Sequence, residues 1–241
     1  MANEILDLAL GYPYLLPRRS YIVDGRNVHD MYAGETNDLR RGRIPVLAVG
    51  SNQSPEQIVR KFSHLDCPPI PCERCEVHDF DSVYSAHVTG YGSIASCLHP
   101  SPGTRVTLFV NWLHEDHMPR MHETELGNEN YCYAALEDIR IVTEFGLELE
   151  TVYFYCSNAG AFAPNGAPVP LAEVPAQNRQ WQARSQREMQ NEIHAMTAPD
   201  LNFEGFITSS VSDTDERNRR KAVMREFGMP FSHKALNIIN L

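Results

Sequence analysis

Basic residues are scarce in this chain. Lys and Arg total 21 against 31 Asp and Glu, a formal charge of −10 over 241 residues, and that balance opposes sequence-independent attraction to nucleic acid or anionic lipid. Neither is an expected partner. Long apolar runs are missing too, and without one of roughly 18 residues or more no helix spans a bilayer. The opening Met1-Ala2-Asn3-Glu4-Ile5-Leu6-Asp7 carries acids where a secretory leader needs a basic region, and the apolar patch after it is broken by Gly11, Pro13 and Pro17. A soluble, cytoplasmic protein is expected. No internal repeat and no low-complexity tract occurs. The six cysteines, with no leader before them, read as reduced thiols and not as a disulfide framework.

What is present is enough apolar material, 42% of residues, for one large domain or a core with extensions. The densest local signal runs from Ile44 to Gln57. Val46-Leu47-Ala48-Val49 is a short apolar run of the length a strand covered on both faces requires, and Gly50-Ser51-Asn52 ends it with residues tolerant of unusual backbone angles. Ser54, Pro55 and Gln57 then stand as N-cap, first helical residue and capping-box partner. Ile58, Val59, Phe62 and Leu65 continue as one apolar stripe. A loop with free N–H groups between strand and helix can receive a carboxylate, a phosphate or a developing oxyanion. It can equally be a tight connection that binds nothing.

Residues 1–43 mix aromatic and proline signals and end in Arg40, Arg41 and Arg43; they read as an extension on the core, with Tyr21-Ile22-Val23 as an edge strand before a turn at Asp24-Gly25. After the rigid Cys67-Pro68-Pro69-Ile70-Pro71, strands are predicted over Ser82–Val88, Ile94–Leu98 and Arg105–Leu113, with turns at Gly90–Ser93 and Pro100–Thr104. Further strands are predicted over Tyr131–Leu136, Ile139–Thr143 and Leu147–Tyr155. Together they suggest a curled or barrel-like sheet. Helices are predicted over Gln177–Met196 and Thr214–Phe227, where the run Arg217-Asn218-Arg219-Arg220-Lys221 reads as a solvated face.

One more helix carries chemistry. With Asp116 as cap, Pro119 in the first turn and Gly127 as a left-handed stop, Met118, Met121, His122 and Glu125 fall on one inward face. A carboxylate there loses solvent, its pKa rises toward neutrality, and it becomes a candidate general base; Glu123 falls on another, solvated face. The alternative for Glu125 is a buried carboxylate paired with an Arg or Lys.

Taken together, Ala48-Val49-Gly50-Ser51-Asn52 with Pro55-Glu56 and the amphipathic helix resembles the Tyr-Gly-Ser-Asn loop of the γ-glutamylcyclotransferase-like superfamily. Met121-His122-Glu123-Thr124-Glu125-Leu126-Gly127, followed by Tyr131, is similar to that family's Leu-Asp-x-x-Glu-Gly pattern and the tyrosine strand beyond it. The resemblance spans roughly residues 45–156. It implies an α+β fold, a small mixed β-barrel with flanking helices, and acyl transfer without a cofactor inside a small-molecule amide substrate: the α-amine of a γ-glutamyl group attacks its own γ-carbonyl, and 5-oxoproline and a free amine leave. It assigns Glu125 as general acid/base and Val49, Gly50, Ser51, Asn52 and Tyr131 as substrate-binding, with no metal. The chain departs from the pattern at Val49, where the family has Tyr, at His122, where it has Asp, and at Leu126 before Gly127. On this reading the chain divides into an N-terminal extension (1–43), a core (44–156) and a largely helical C-terminal extension (157–241).

Competing readings are a non-catalytic small-molecule-binding or scaffold protein on the same fold, and a zinc-binding module at Cys67, Cys72, Cys75 and His78, which have ligand types at short spacing. The cluster His114, Glu115, Asp116, His117 and His122 lacks the two-His spacing of a zinc peptidase and reads as surface histidines. A serine hydrolase using Ser51 or Ser93 with His87 lacks the Gly-x-Ser-x-Gly turn.

Overall fold

The computed structural model describes residues 2–127 and 130–240. Its helices are α1 (Ala2–Leu10), α2 (Thr36–Arg40), α3 (Pro55–Phe62), α4 (Met118–Leu126), α5 (Gln186–Thr197), α6 (Phe203–Ser212) and α7 (Thr214–Arg225). Its strands are β1 (Tyr21–Asp24), β2 (Asn27–Asp30), β3 (Ile44–Ala48), β4 (Ile70–Val88), β5 (Ile94–Leu113), β6 (Tyr131–Leu136), β7 (Ile141–Thr143), β8 (Glu148–Leu149), β9 (Val152–Ser157), β10 (Ala161–Phe162), β11 (Ala176–Gln177), β12 (Gly228–Met229) and β13 (Leu236–Ile238). Short 3₁₀ turns at Ser51–Gln53 and Glu115–His117 precede α3 and α4. Among the described residues no helix is long and apolar enough to cross a membrane.

The expected closed barrel is instead an open sheet. Its strand order is β12-β10-β4-β5-β3-β9-β6-β13, with β1 and β7 branching from β4 and β11 from β5. The cause is the length of the β4–β5 hairpin, 19 and 20 residues, which changes neighbours halfway along. Near its start β4 pairs with β1 at Cys72 and β7 at Cys75, and near its end with β10 at Ser85. A hairpin that serves two sets of neighbours makes the sheet fork, and the two end strands never meet.

The turn predicted at Pro100–Thr104 is a bulge within β5. Register runs from Phe80↔Pro100 to His78↔Arg105, so several residues of β5 loop out opposite Asp79. Asp79 and Gly103 both take positive φ, 65° and 81°, and Asp79 Oδ1 accepts from Gly103 N at 2.7 Å. Turn-forming residues kink the strand without reversing it, because both flanks remain paired to β4.

β3 lies inside the sheet, antiparallel to β5 and parallel to β9. Its side chains alternate between two cores: Val46 and Ala48 pack with Ile58, Phe62, Met118 and Met121 beneath α3 and α4, while Leu47 and Val49 pack on the other face with Tyr12, Val77 and Leu98. Both faces are therefore covered, as the uninterrupted apolar run requires. Burying Ile58 and Phe62 contributes about 1.5–3 kcal/mol each and fixes α3 at the end of β3.

In the C-terminal part, α5 begins at Gln186, later than predicted, behind a capping box made by Ser185 and Glu188. Sequence reasoning missed α6, whose Gly, Ser, Thr and Val have weak helix propensity. It forms because Phe206 and Ile207 are wholly buried and Asn202 caps it.

Candidate functional site

The chain leaves β3 at Val49 and turns through Gly50–Gln53 into α3. Every loop carbonyl is taken. Val49 O accepts from Gln53 Nε2 at 2.9 Å and Ser82 Oγ at 3.1 Å, Gly50 O from Gln53 N at 3.1 Å, Ser51 O from Ser54 N at 2.9 Å and Asn52 O from Asn111 Nδ2 at 3.0 Å. A planar peptide carries its N–H opposite its C=O, so anchoring these carbonyls also orients the amides of Gly50, Ser51 and Asn52. None of the three has an acceptor among the described residues. Ser54 occupies the N-cap position, but its side chain makes no cap bond, and Gln57 Oε1 accepts from Arg60 instead of completing the box.

Gly50 is required by a close approach. A Cβ there would lie 2.1 Å from Tyr12 Oη and 2.7 Å from Ser96 Oγ. Tyr12 comes from the N-terminal segment, bonds Ser96 Oγ at 2.9 Å and accepts from Ser96 N at 2.9 Å. A phenol thus reaches the loop from position 12, while Val49 is buried among apolar neighbours. Burial pushes the Tyr12 phenol up to about 12, so it remains a hydroxyl at neutral pH.

α4 places Glu125 against this loop. Met118 and Met121 are buried beneath the helix, and Glu123 faces solvent and pairs with Arg120. Gly127 has φ −60°, so the helix ends without the left-handed stop. Asn52 Nδ2 donates to Glu125 Oε1 at 3.1 Å. The same oxygen takes the ammonium of Lys61 from α3, and the two side chains are only 7% and 15% exposed. The inward acid is therefore an ion pair held by a lysine of the neighbouring helix. Lys61 lies between Ile58 and Phe62 on the buried side of α3, a position from which a long side chain can run inward.

Val49, Gly50, Ser51, Asn52, Glu125 and Tyr131 line one cavity of about 720 Å³, together with Tyr12, Lys61, His87, Tyr91 and Tyr155, a size typical of small-molecule sites. Burial raises the phenols of Tyr91, Tyr131 and Tyr155, keeping all three as hydroxyls. His122 meets Tyr155 Oη through Nδ1 at 3.0 Å. The lining carries five Lys or Arg residues and, among the described residues, one carboxylate, Glu125. That is the reverse of the charge balance of the whole chain.

Other sequence candidates fall elsewhere. Cys72, Cys75 and His78 are spaced by three along β4, so successive members face opposite sides of the sheet; Cys67 stands before the strand and contacts Asp116 O. No group of three metal-binding side chains occurs among the described residues. His117 is not a surface residue: it is buried, bonds Pro68 O at 2.9 Å, accepts from His114 N and stands edge-on to Phe62. Ser93 is buried at the β4–β5 turn and does not itself line the cavity, whereas Ser51 and His87 do.

His87 is 5% exposed. Burial, with Lys221, Arg225 and Arg217 nearby, lowers its pKa to about 3. The unfolded chain protonates this imidazole below about 6.5 while the folded chain does not, so stability declines as pH falls from that value toward 3. His87→Gln is expected to remove about 2 kcal/mol of the loss between pH 6.5 and 5. Urea unfolding of both proteins at the two pH values measures it; equal pH dependence would contradict a buried neutral imidazole.

The sequence matches no protein-family model and no curated protein. Among solved structures, a gamma-glutamyl cyclotransferase is similar at TM-score 0.36 and 20% identity, over 46% of this chain and 64% of its own, so the chain spans less than two thirds of that enzyme's length. An uncharacterized protein from Homo sapiens is similar at TM-score 0.39 and 15% identity, over 80% of this chain and 92% of its own. Likenesses of that size leave function to be read from the site.

Proposed function

We propose that the chain cleaves a γ-glutamyl or similar amide by attack of the substrate's own α-amine, releasing 5-oxoproline and a free amine. The observation that carries this reading is the meeting of Glu125 with the Gly50–Asn52 loop at one cavity, joined by the Asn52 Nδ2 to Glu125 Oε1 bond. The Lys61–Glu125 pair complements a zwitterion. An α-ammonium group takes the place of Lys61 on Glu125, and the freed Lys61 ammonium receives the α-carboxylate.

Glu125 then accepts a proton from the α-ammonium, and the neutral amine forms the C–N bond to the γ-carbonyl carbon. The carbonyl oxygen gains the negative charge, and the backbone amides of Gly50, Ser51 and Asn52 are its donors. As the original C–N bond breaks, the protonated Glu125 returns its proton to the leaving nitrogen; Glu125 then takes the second proton that the ring nitrogen must lose and passes it to the released amine, which departs as an ammonium. A five-membered ring closes readily once amine and carbonyl are held together, so base, cradle and confinement suffice.

A second reading, a small-molecule-binding protein without turnover, is favoured by the same ion pair: Lys61 already occupies the Glu125 oxygen that a substrate amine would need. Incubation of the purified protein with a panel of γ-glutamyl amides separates the two. The amide-cleaving reading expects 5-oxoproline from at least one member; binding to the panel with no 5-oxoproline from any member would leave only the second.

A further inference from the structure

The charges of α7 are sorted by face. Its first-turn Glu216 pairs with Arg219 at 2.8 Å and Arg220 at 3.6 Å. Arg217, Lys221 and Arg225 instead follow one another at i, i+4 and i+8, a row in which like charges repel. The Arg217 guanidinium donates to Ser210 O at 2.7 Å, Val211 O at 3.1 Å and Thr214 Oγ1 at 3.0 Å, which holds it in place without neutralising it. Lys221 is half-buried and has no hydrogen bond or ion pair among the described residues. The group this row bears on, His87, is a buried imidazole with no negative charge to offer. No described carboxylate of the cavity remains to oppose the row, since Glu125 is taken by Lys61. The run that the sequence presents as a solvated face thus puts Arg217, Asn218 and Lys221 into the wall of the cavity.

We propose that the part of the cavity walled by α7 is an anion subsite, in which Lys221, Arg217 and Asn218 hold an oxyanion group of the ligand, a carboxylate or a phosphate. A fixed guanidinium, an unpartnered ammonium and a side-chain amide are a donor set suited to either. The repulsion along α7 is relieved when the anion arrives, so cavity and helix are both completed by the ligand. If the amide-cleaving reading above holds, on which this further step rests, the anion belongs to the amine half of the substrate, because Glu125 and Lys61 occupy themselves with the zwitterionic half. The substrate class is then a γ-glutamyl amide of an acidic amine.

The subsite is tested without turnover. Inorganic phosphate and glutarate are titrated into the full chain by calorimetry at constant ionic strength, with chloride as the control anion. Saturable binding of phosphate or glutarate by the wild type is expected, and the stronger of the two identifies the oxyanion. Lys221→Gln is expected to weaken that binding about tenfold and Lys221→Arg to restore most of it. Folding of Lys221→Gln is safeguarded by the relief of like-charge repulsion, and Asn218→Asp, at an exposed position, supplies a second variant that offers Lys221 an internal anion and should weaken binding in the same way. No saturable binding of either anion, or wild-type affinity in both variants, would overturn the subsite. Anion binding by Lys221, Arg217 and Asn218 is read without turnover. Loss of the amide-cleaving reading therefore leaves this result standing, and failure of anion binding leaves 5-oxoproline release to be judged separately.

Discussion

Glu125→Gln is expected to lower the rate of 5-oxoproline release by about 10²–10⁴-fold, the range a positioned general acid/base supplies. The amide keeps the size of the carboxylate and can still accept from Asn52 Nδ2, so the geometry at Oε1 is retained while the capacity to hold a transferred proton is lost. The loss of proton transfer should fall on kcat, and KM should rise as well because the substrate's α-ammonium loses its carboxylate partner. Steady-state kinetics on whichever γ-glutamyl amide the wild type turns over fastest reads both parameters, and circular dichroism confirms that the variant is folded. Retention of kcat to within tenfold would take Glu125 out of the mechanism.

Lys61→Met should cost about 3 kcal/mol of stability, the low end of the range for removing one partner of a buried ion pair, since Glu125 keeps 15% of its side chain exposed. Methionine fills the stem volume beside Met121, so the penalty is chiefly an uncompensated carboxylate and not a cavity. The double variant Lys61→Met, Glu125→Gln should recover most of it, because a neutral pair places no charge in the site. Denaturant unfolding of wild type, both single variants and the double variant forms a cycle whose coupling energy is the quantity of interest. A coupling below about 0.5 kcal/mol would mean that the two groups do not interact as an ion pair in solution.

The residues that build the candidate site were legible in unequal measure. Residues 44–58 declared themselves because strand, loop and helix start were contiguous: an apolar run, Gly50-Ser51-Asn52 and Ser54-Pro55 each act within a few residues. The inward face of α4 was equally readable, since Met118, Met121 and Glu125 share it by helical geometry alone. Lys61 as partner of Glu125 was not, because the pairing is settled by how α3 lies beside α4. The zinc reading failed for the converse reason: Cys72, Cys75 and His78 are close in sequence, but an extended strand sends them to alternate faces. Pro100–Thr104 was read as a reversal because turn residues describe local backbone freedom, and only pairing of both flanks with β4 made them a bulge.

Sequence alone thus determined the local pieces: the covered strand β3, the glycine-bearing loop, the inward acid of α4 and the surplus of acids over bases. Tertiary structure decided that the sheet stays open and that Tyr12 from the N-terminal segment supplies a phenol against Gly50. It also put Arg217 and Lys221, two members of the supposedly solvated run of α7, into a cavity wall. The division has a physical basis. Propensity and periodicity act over a turn or two of chain, whereas charge pairing and cavity lining depend on which distant segments the packed core brings within a few ångströms of each other.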